Sequence, residues 1–123
     1  MSSKFYLCEH CKNLVGMINN SGVPIICCGA KMKSLEANTV EASHEKHIPM
    51  VLIEGQKVSV TVGSVVHPMT EEHYIDWIYL ETSEGGMRKK CNGKPSATFT
   101  LDGEEPIAVY AYCNLHGLWK TEL

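Results

Sequence analysis

No apolar run in the 123-residue chain approaches the ~18 residues needed to cross a bilayer, and its opening Met1-Ser2-Ser3-Lys4-Phe5-Tyr6 lacks the apolar centre of a secretion signal. Both absences predict a soluble, cytoplasmic protein with no membrane partner. Excess positive charge is missing too: 11 basic residues stand against 14 acidic ones, for a net charge of -3 and a pI of about 6.0. Without a global positive field there is nothing to gather nucleic acid or anionic lipid, and a small anion needs a local patch. No segment keeps a long helical period, which leaves an all-β fold. What the chain holds in quantity is metal-ligand chemistry, with six cysteines and six histidines. A reducing compartment disfavours disulfides, so ligation is the first use to test for these thiols.

Four of the cysteines fall early, as Cys8-Glu9-His10-Cys11 and then, after fifteen residues, the adjacent pair Cys27-Cys28 ahead of Gly29. A Cys-x-x-Cys turn offers two sulfurs to one ion, and a second pair completes a tetrahedral four-sulfur site for zinc or iron. Asn19-Asn20-Ser21-Gly22, between Leu14–Ile18 and Val23–Ile26, reads as a hairpin that brings the pairs together. So short a segment buries too little apolar surface to fold unaided, so metal binding and folding are coupled. The adjacent second pair cannot repeat the first turn, which predicts a distorted site. His10 is superfluous once four thiolates fill the tetrahedron.

Residues 34–42 carry no period and join two modules, placed at 1–37 and 38–123. Alternation then takes over: Val58, Val60 and Val62; Ile75, Trp77 and Tyr79; Ala97, Phe99 and Leu101. Turn signals at Glu54-Gly55-Gln56, Glu84-Gly85-Gly86, Cys91-Asn92-Gly93 and Asp102-Gly103 give the spacing of an antiparallel, immunoglobulin-like sandwich of about seven strands. Three loops carry ligands: Ser43–Pro49 with His47, His67–His73 with a histidine at each end, and Cys113–His116 after the apolar run Ile107–Ala111. Pro68 and Pro49 stiffen the backbone beside His67 and His47. One thiolate among four imidazoles suits a redox-active first-row metal, iron above all, better than the closed site of structural zinc. Two residues are left over: His44, read as solvated, and Cys91, in the basic stretch Arg88–Lys94, with no ligand role.

The first 36 or so residues resemble desulforedoxin and the amino-terminal domain of desulfoferrodoxins, and the whole chain resembles the two-iron superoxide reductases of the desulfoferrodoxin type. That resemblance implies a rubredoxin-like iron on Cys8, Cys11, Cys27 and Cys28. It implies a second, catalytic iron with His47, His67, His73 and His116 around it and Cys113 as the axial ligand, the sixth position open. The family's Glu-Lys-His triplet stands here as Glu45-Lys46-His47, with Lys46 drawing in the anion and Glu45 filling the vacant position when iron is ferric. The implied reaction reduces superoxide to hydrogen peroxide without releasing dioxygen. A rubredoxin-like or other reductase donor then restores the ferrous state, and the implied assembly is a homodimer. Backbone N–H groups of Asn114, Leu115 or His116 are expected to tune the Cys113 sulfur. Two rivals are a mononuclear oxygenase, whose two histidines and one carboxylate leave more open positions, and a nonenzymatic electron carrier or sensor built on the first module.

Overall fold

The computed structural model describes residues 4–123, and the chain divides into two compact units, Met1–Glu36 and Ala37–Leu123. In the first, β1 (Phe5–Leu7) lies between β2 (Leu14–Gly16) and β5 (Lys33–Ser34), while β3 (Ile26–Cys27) and β4 (Ala30–Lys31) form a separate ribbon. Every pairing is antiparallel. Few of its side chains are buried, chiefly Phe5, Cys8 and Met32. The expected pairing of the segments on either side of Asn19–Gly22 is not the one formed: β2 pairs with β1, and β3 with β4. Residues 19–22 do form a bend, but strands this short take their partners from whatever the ligand turns bring close.

Each cysteine pair sits on a turn of its own. The Cys8-to-Cys11 stretch is the β1–β2 connection, closed by Lys12 N–H to Cys8 O and Cys8 N–H to Asn13 O, both 2.8 Å, with Lys12 at φ 69°. The second pair straddles the β3–β4 hairpin, where Cys27 faces Ala30 across a two-residue turn. That turn is Cys28-Gly29, at φ 52° and 74°, the doubly left-handed conformation of a type I′ hairpin.

The second unit starts with a single helical turn, α1 (His44–His47), where the sequence suggested a loop. Its strands are β6 (Pro49–Glu54), β7 (Lys57–Val62), β8 (Ile75–Thr82), β9 (Gly85–Lys90), β10 (Ser96–Thr100), β11 (Pro106–Cys113) and β12 (Gly117–Glu122). They form one sheet in the order β10-β7-β6 and another in the order β12-β11-β8-β9, antiparallel throughout. Val58, Val60, Val62 and Phe99 from the first meet Ile78, Leu80, Val109 and Ala111 from the second in one buried core. This is the seven-stranded sandwich the alternation predicts.

The phase of β8 differs from the expectation. Ile75, Ile78 and Leu80 face the core, whereas Trp77 and Tyr79 lie on the opposite face, against Tyr112 and Tyr110. The cause is a bulge: Tyr112 pairs with Trp77 but Cys113 pairs with Ile75, so Asp76 has no partner on β11. The Asp76 carbonyl instead accepts the Cys91 N–H at 2.8 Å.

Four residues cannot sustain a helix alone, so α1 is held from outside. Its Glu45 carbonyl accepts Val65 N–H at 2.9 Å and Ser64 Oγ–H at 3.2 Å. At Gly63 a β-carbon would lie 2.4 Å from that same carbonyl, so only glycine lets the two backbones approach.

Candidate metal centres

Among the described residues two groups of side chains converge as a metal site would require. In the first, the sulfurs of Cys8, Cys11, Cys27 and Cys28 lie within 4.8 Å of one another, and Cys11 and Cys27 are 3.6 Å apart. Sulfurs at ~2.3 Å from one shared ion stand roughly 3.8 Å apart in a tetrahedron, so the spacing fits. The thiols pull against each other. The Cys11 backbone N–H lowers the Cys8 thiol to about 6, whereas proton sharing with Cys11 and Cys8 holds Cys27 above its ordinary value and pushes Cys28 up to about 12. A cation removes that conflict by allowing all four to ionise together. His10 is exposed and outside the group.

The second group joins His47, His73, Cys113 and His116, again within 4.8 Å. His67 lies outside that limit, yet its Nε2 is 3.2 Å from His47 Nε2. The four rings make a square. Centroids are 4.7 Å apart for His47–His67, 4.6 Å for His67–His73, 5.0 Å for His73–His116 and 4.9 Å for His116–His47, with 6.2 Å across the His47–His73 diagonal.

Second-layer carbonyls set which nitrogen each ring turns inward. His47 Nδ1–H donates to Ser43 O at 2.6 Å and His67 Nδ1–H to Pro68 O at 2.7 Å, so both Nε2 atoms carry lone pairs. Those lone pairs face each other at 3.2 Å, an arrangement that repels unless a cation lies between them. His73 Nε2 is buried without any hydrogen-bond partner. His116 presents Nδ1, 3.2 Å from His47 Nε2 and 3.8 Å from the Cys113 sulfur. Burial lowers the proton affinity of His47 and His73 and takes His67 down to about 4, so these rings are neutral at neutral pH, as ligation requires. The donor set fits a metal ion.

Cys113, fully buried at the end of β11, is the one sulfur here. Burial raises its thiol, and the amides of His116 and Leu115 oppose that rise. His116 N–H reaches the sulfur at 3.4 Å, whereas the Asn114 N–H donates to Tyr74 O at 3.1 Å and so is not one of the tuning groups.

Three residues that the sequence reading missed support the square. The buried Trp119 ring stacks on His47 at 4.8 Å and 25°, while its Nε1–H donates to His116 O at 3.1 Å. Asn114 clamps the His73 segment, its Oδ1 accepting Tyr74 N–H at 2.8 Å and its Nδ2–H donating to Glu72 O at 2.9 Å. Gly63 admits α1. Only Trp119 carried a signal, as an inward-phased aromatic three residues past His116. Glu45 and Lys46 are exposed on α1, outside the ligand group, though the Lys46 charge contributes to lowering His47 and His73. His44 is exposed, its ring edge-on to Trp119 at 5.2 Å. Cys91 is buried in the core, which raises its thiol to about 11, and belongs to neither group.

Comparison with known proteins places the chain among relatives over nearly its whole length. The family model described as Desulfoferrodoxin matches residues 39–122. A "Desulfoferrodoxin homolog" of Archaeoglobus fulgidus is 42% identical over 118 residues, which cover 94% of this chain and 94% of that one. The "Desulfoferrodoxin" of Syntrophotalea carbinolica is 42% identical over 119 residues, 95% of this chain and 94% of its own. The crystal structure of the superoxide reductase from Treponema pallidum matches with a TM-score of 0.83 at 38% identity, covering 99% of this chain and 100% of the other. The fold, the two ligand groups and these relatives lead to one conclusion: the chain belongs to the desulfoferrodoxin family.

Proposed function

We propose that this protein is a superoxide reductase, an oxidoreductase that converts superoxide to hydrogen peroxide with one electron and two protons and releases no dioxygen. The observation that carries this reading is the square of four imidazoles with one buried thiol beside it, five donors that leave one position for a small ligand. His47, His67, His73, His116 and Cys113 would hold an iron that, when ferrous, would supply the electron. A second iron is assigned to Cys8, Cys11, Cys27 and Cys28, and an external one-electron donor, rubredoxin-like or another reductase, restores the reduced protein.

The chain's own residues do the rest. Ser43 and Pro68 carbonyls hold the His47 and His67 rings in one tautomer, so the square forms without reorganisation when superoxide arrives. Cys113 gives up its proton on ligation and contributes electron density that favours reduction of the substrate. Lys46 places a positive charge on α1 next to His47, and its effect on His47 and His73 marks the field that draws an anion in. Glu45, on the same exposed turn, is the carboxylate that would ligate the oxidised metal in the resting protein. Solvent supplies both protons.

Pulsed generation of superoxide against the reduced, iron-loaded protein tests this, with peroxide and dioxygen measured together. The expected result is one peroxide per superoxide consumed and no dioxygen. Dioxygen release in step with peroxide would make the protein a dismutase, and indifference to superoxide with both sites filled would make it an electron carrier.

A further inference from the structure

Resting on the proposed reductase activity, we infer that the exposed edge strand β9 and the turn after it are where a small acidic one-electron carrier protein docks to re-reduce the Cys113 centre. Residues 88–94 carry four cations, Arg88, Lys89, Lys90 and Lys94, and no carboxylate, in a chain of net charge -3. Arg88, Lys90 and Lys94 are exposed and, among the described residues, form no ion pair. Lys89 is different: its Nζ bonds Thr98 O and lies 5.4 Å over the Phe99 ring, so it serves the fold. Concentrated positive charge on an acidic protein selects an acidic partner and speeds the encounter.

The position of the strand gives that charge its use. β9 is the outer strand of the sheet β12-β11-β8-β9, and only β8 separates it from β11, which ends in Cys113. Two strand spacings are roughly 10 Å, a short path for electron tunnelling. Two covalent and hydrogen-bonded routes cross it. Cys91 N–H bonds the carbonyl of Asp76, the residue after Ile75, which pairs with Cys113. One row away, Lys90 pairs with Trp77, whose ring stacks on Tyr112 at 5.7 Å and 7°, and Tyr112 precedes Cys113. Electrons entering at β9 thus reach the sulfur across β8, by one route through the backbone and by another along the Trp77–Tyr112 stack on the face away from the core. In the step itself the carrier loses one electron and the oxidised metal centre gains it, with no bond made and no proton moved.

Lysines on an edge strand also discourage strand addition, but that role does not predict salt-dependent electron delivery. The test uses the oxidised, iron-loaded protein, reduced rubredoxin as the acidic probe, and ascorbate as a small donor. The variant R88E/K90E/K94E is expected to slow reduction by rubredoxin about tenfold at low salt and to flatten its salt dependence. Reduction by ascorbate and the superoxide reaction should keep their wild-type rates. Backbone amide shifts on adding rubredoxin should map to residues 85–94, and the neutral R88Q/K90Q/K94Q stands in if charge reversal prevents folding. An unchanged rate and salt slope, or shifts confined to α1 and the His67–His73 loop, overturns the docking site. Loss of superoxide reduction in wild type, with charge-dependent electron delivery intact, overturns the activity instead and leaves the dock standing.

Discussion

The two metal groups are built on opposite principles. In Met1–Glu36 the four sulfurs sit on two turns between strands of two or three residues, two of the four are exposed, and only a handful of side chains are buried. In Ala37–Leu123 the imidazoles and Cys113 hang from a seven-stranded sandwich whose core would exist without them. The first unit, with so little buried, is expected to fold only around an ion, whereas the second has a core that prepares a place for one. Ligand type follows from this. Thiolates repel one another and must be gathered by charge, while neutral rings can be packed like any apolar group and locked by carbonyls.

The largest effect expected from breaking this contrast is on folding. Cys28→Ser, or removal of metal by a strong chelator, should abolish hydrogen-exchange protection in residues 4–36 and leave the sandwich amides protected. Equal loss in both units would show that the sandwich also depends on metal. Next in size is Trp119→Ala, which removes a fully buried indole and should cost about 3–5 kcal/mol of sandwich stability in denaturant unfolding. Trp119→Phe keeps a ring against His47 but drops the bond to His116 O, so it should weaken metal binding more than it weakens the fold.

A smaller effect separates the groups by protons. Metal uptake at neutral pH should release protons from the raised Cys27 and Cys28 thiols and from Cys113, but none from His47, His67 or His73. In the metal-free sandwich His47, His67 and His73 are depressed relative to the unfolded chain, so the unfolded state binds more protons as pH falls. Stability is therefore full above about 6.5 and declines toward about 4, the range over which His67 protonates in the two states. Potentiometric titration and pH-dependent unfolding check both. Smallest for the fold is Lys46→Met, which should leave stability and metal content unchanged. It should slow superoxide capture several-fold at low salt, with the difference from wild type closing as the Debye length falls to about 3 Å at 1 M.

The sandwich was legible because alternation has a period of two, and Val58, Val60 and Val62 state it plainly. The β8 bulge was not, since Ile75-Asp76-Trp77 shows simple alternation and the slip exists only against β11. Both ligand groups were legible as side chains, yet what orients them is largely backbone: Ser43 O, Pro68 O and the Glu45 carbonyl held by Ser64 and Val65 have no sequence signature. The partner of β2 is not legible for the same reason, because a turn motif names a bend and not the strand that lies beside it.

The bulge at Asp76 can also be taken as a measure of length. His73 lies two residues ahead of Ile75, and Asn114, just past the end of β11, fastens Glu72 and Tyr74, the residues on either side of that histidine. Without the bulge Asp76 would sit opposite Cys113, and Ile75 and His73 would each be carried one strand step, ~3.3 Å, further along. That is about the gap between neighbouring ligand nitrogens, so the square would lose a corner while the sandwich kept its seven strands. One unpaired residue therefore works as a spacer, adjusting the reach of a loop to the size of an ion.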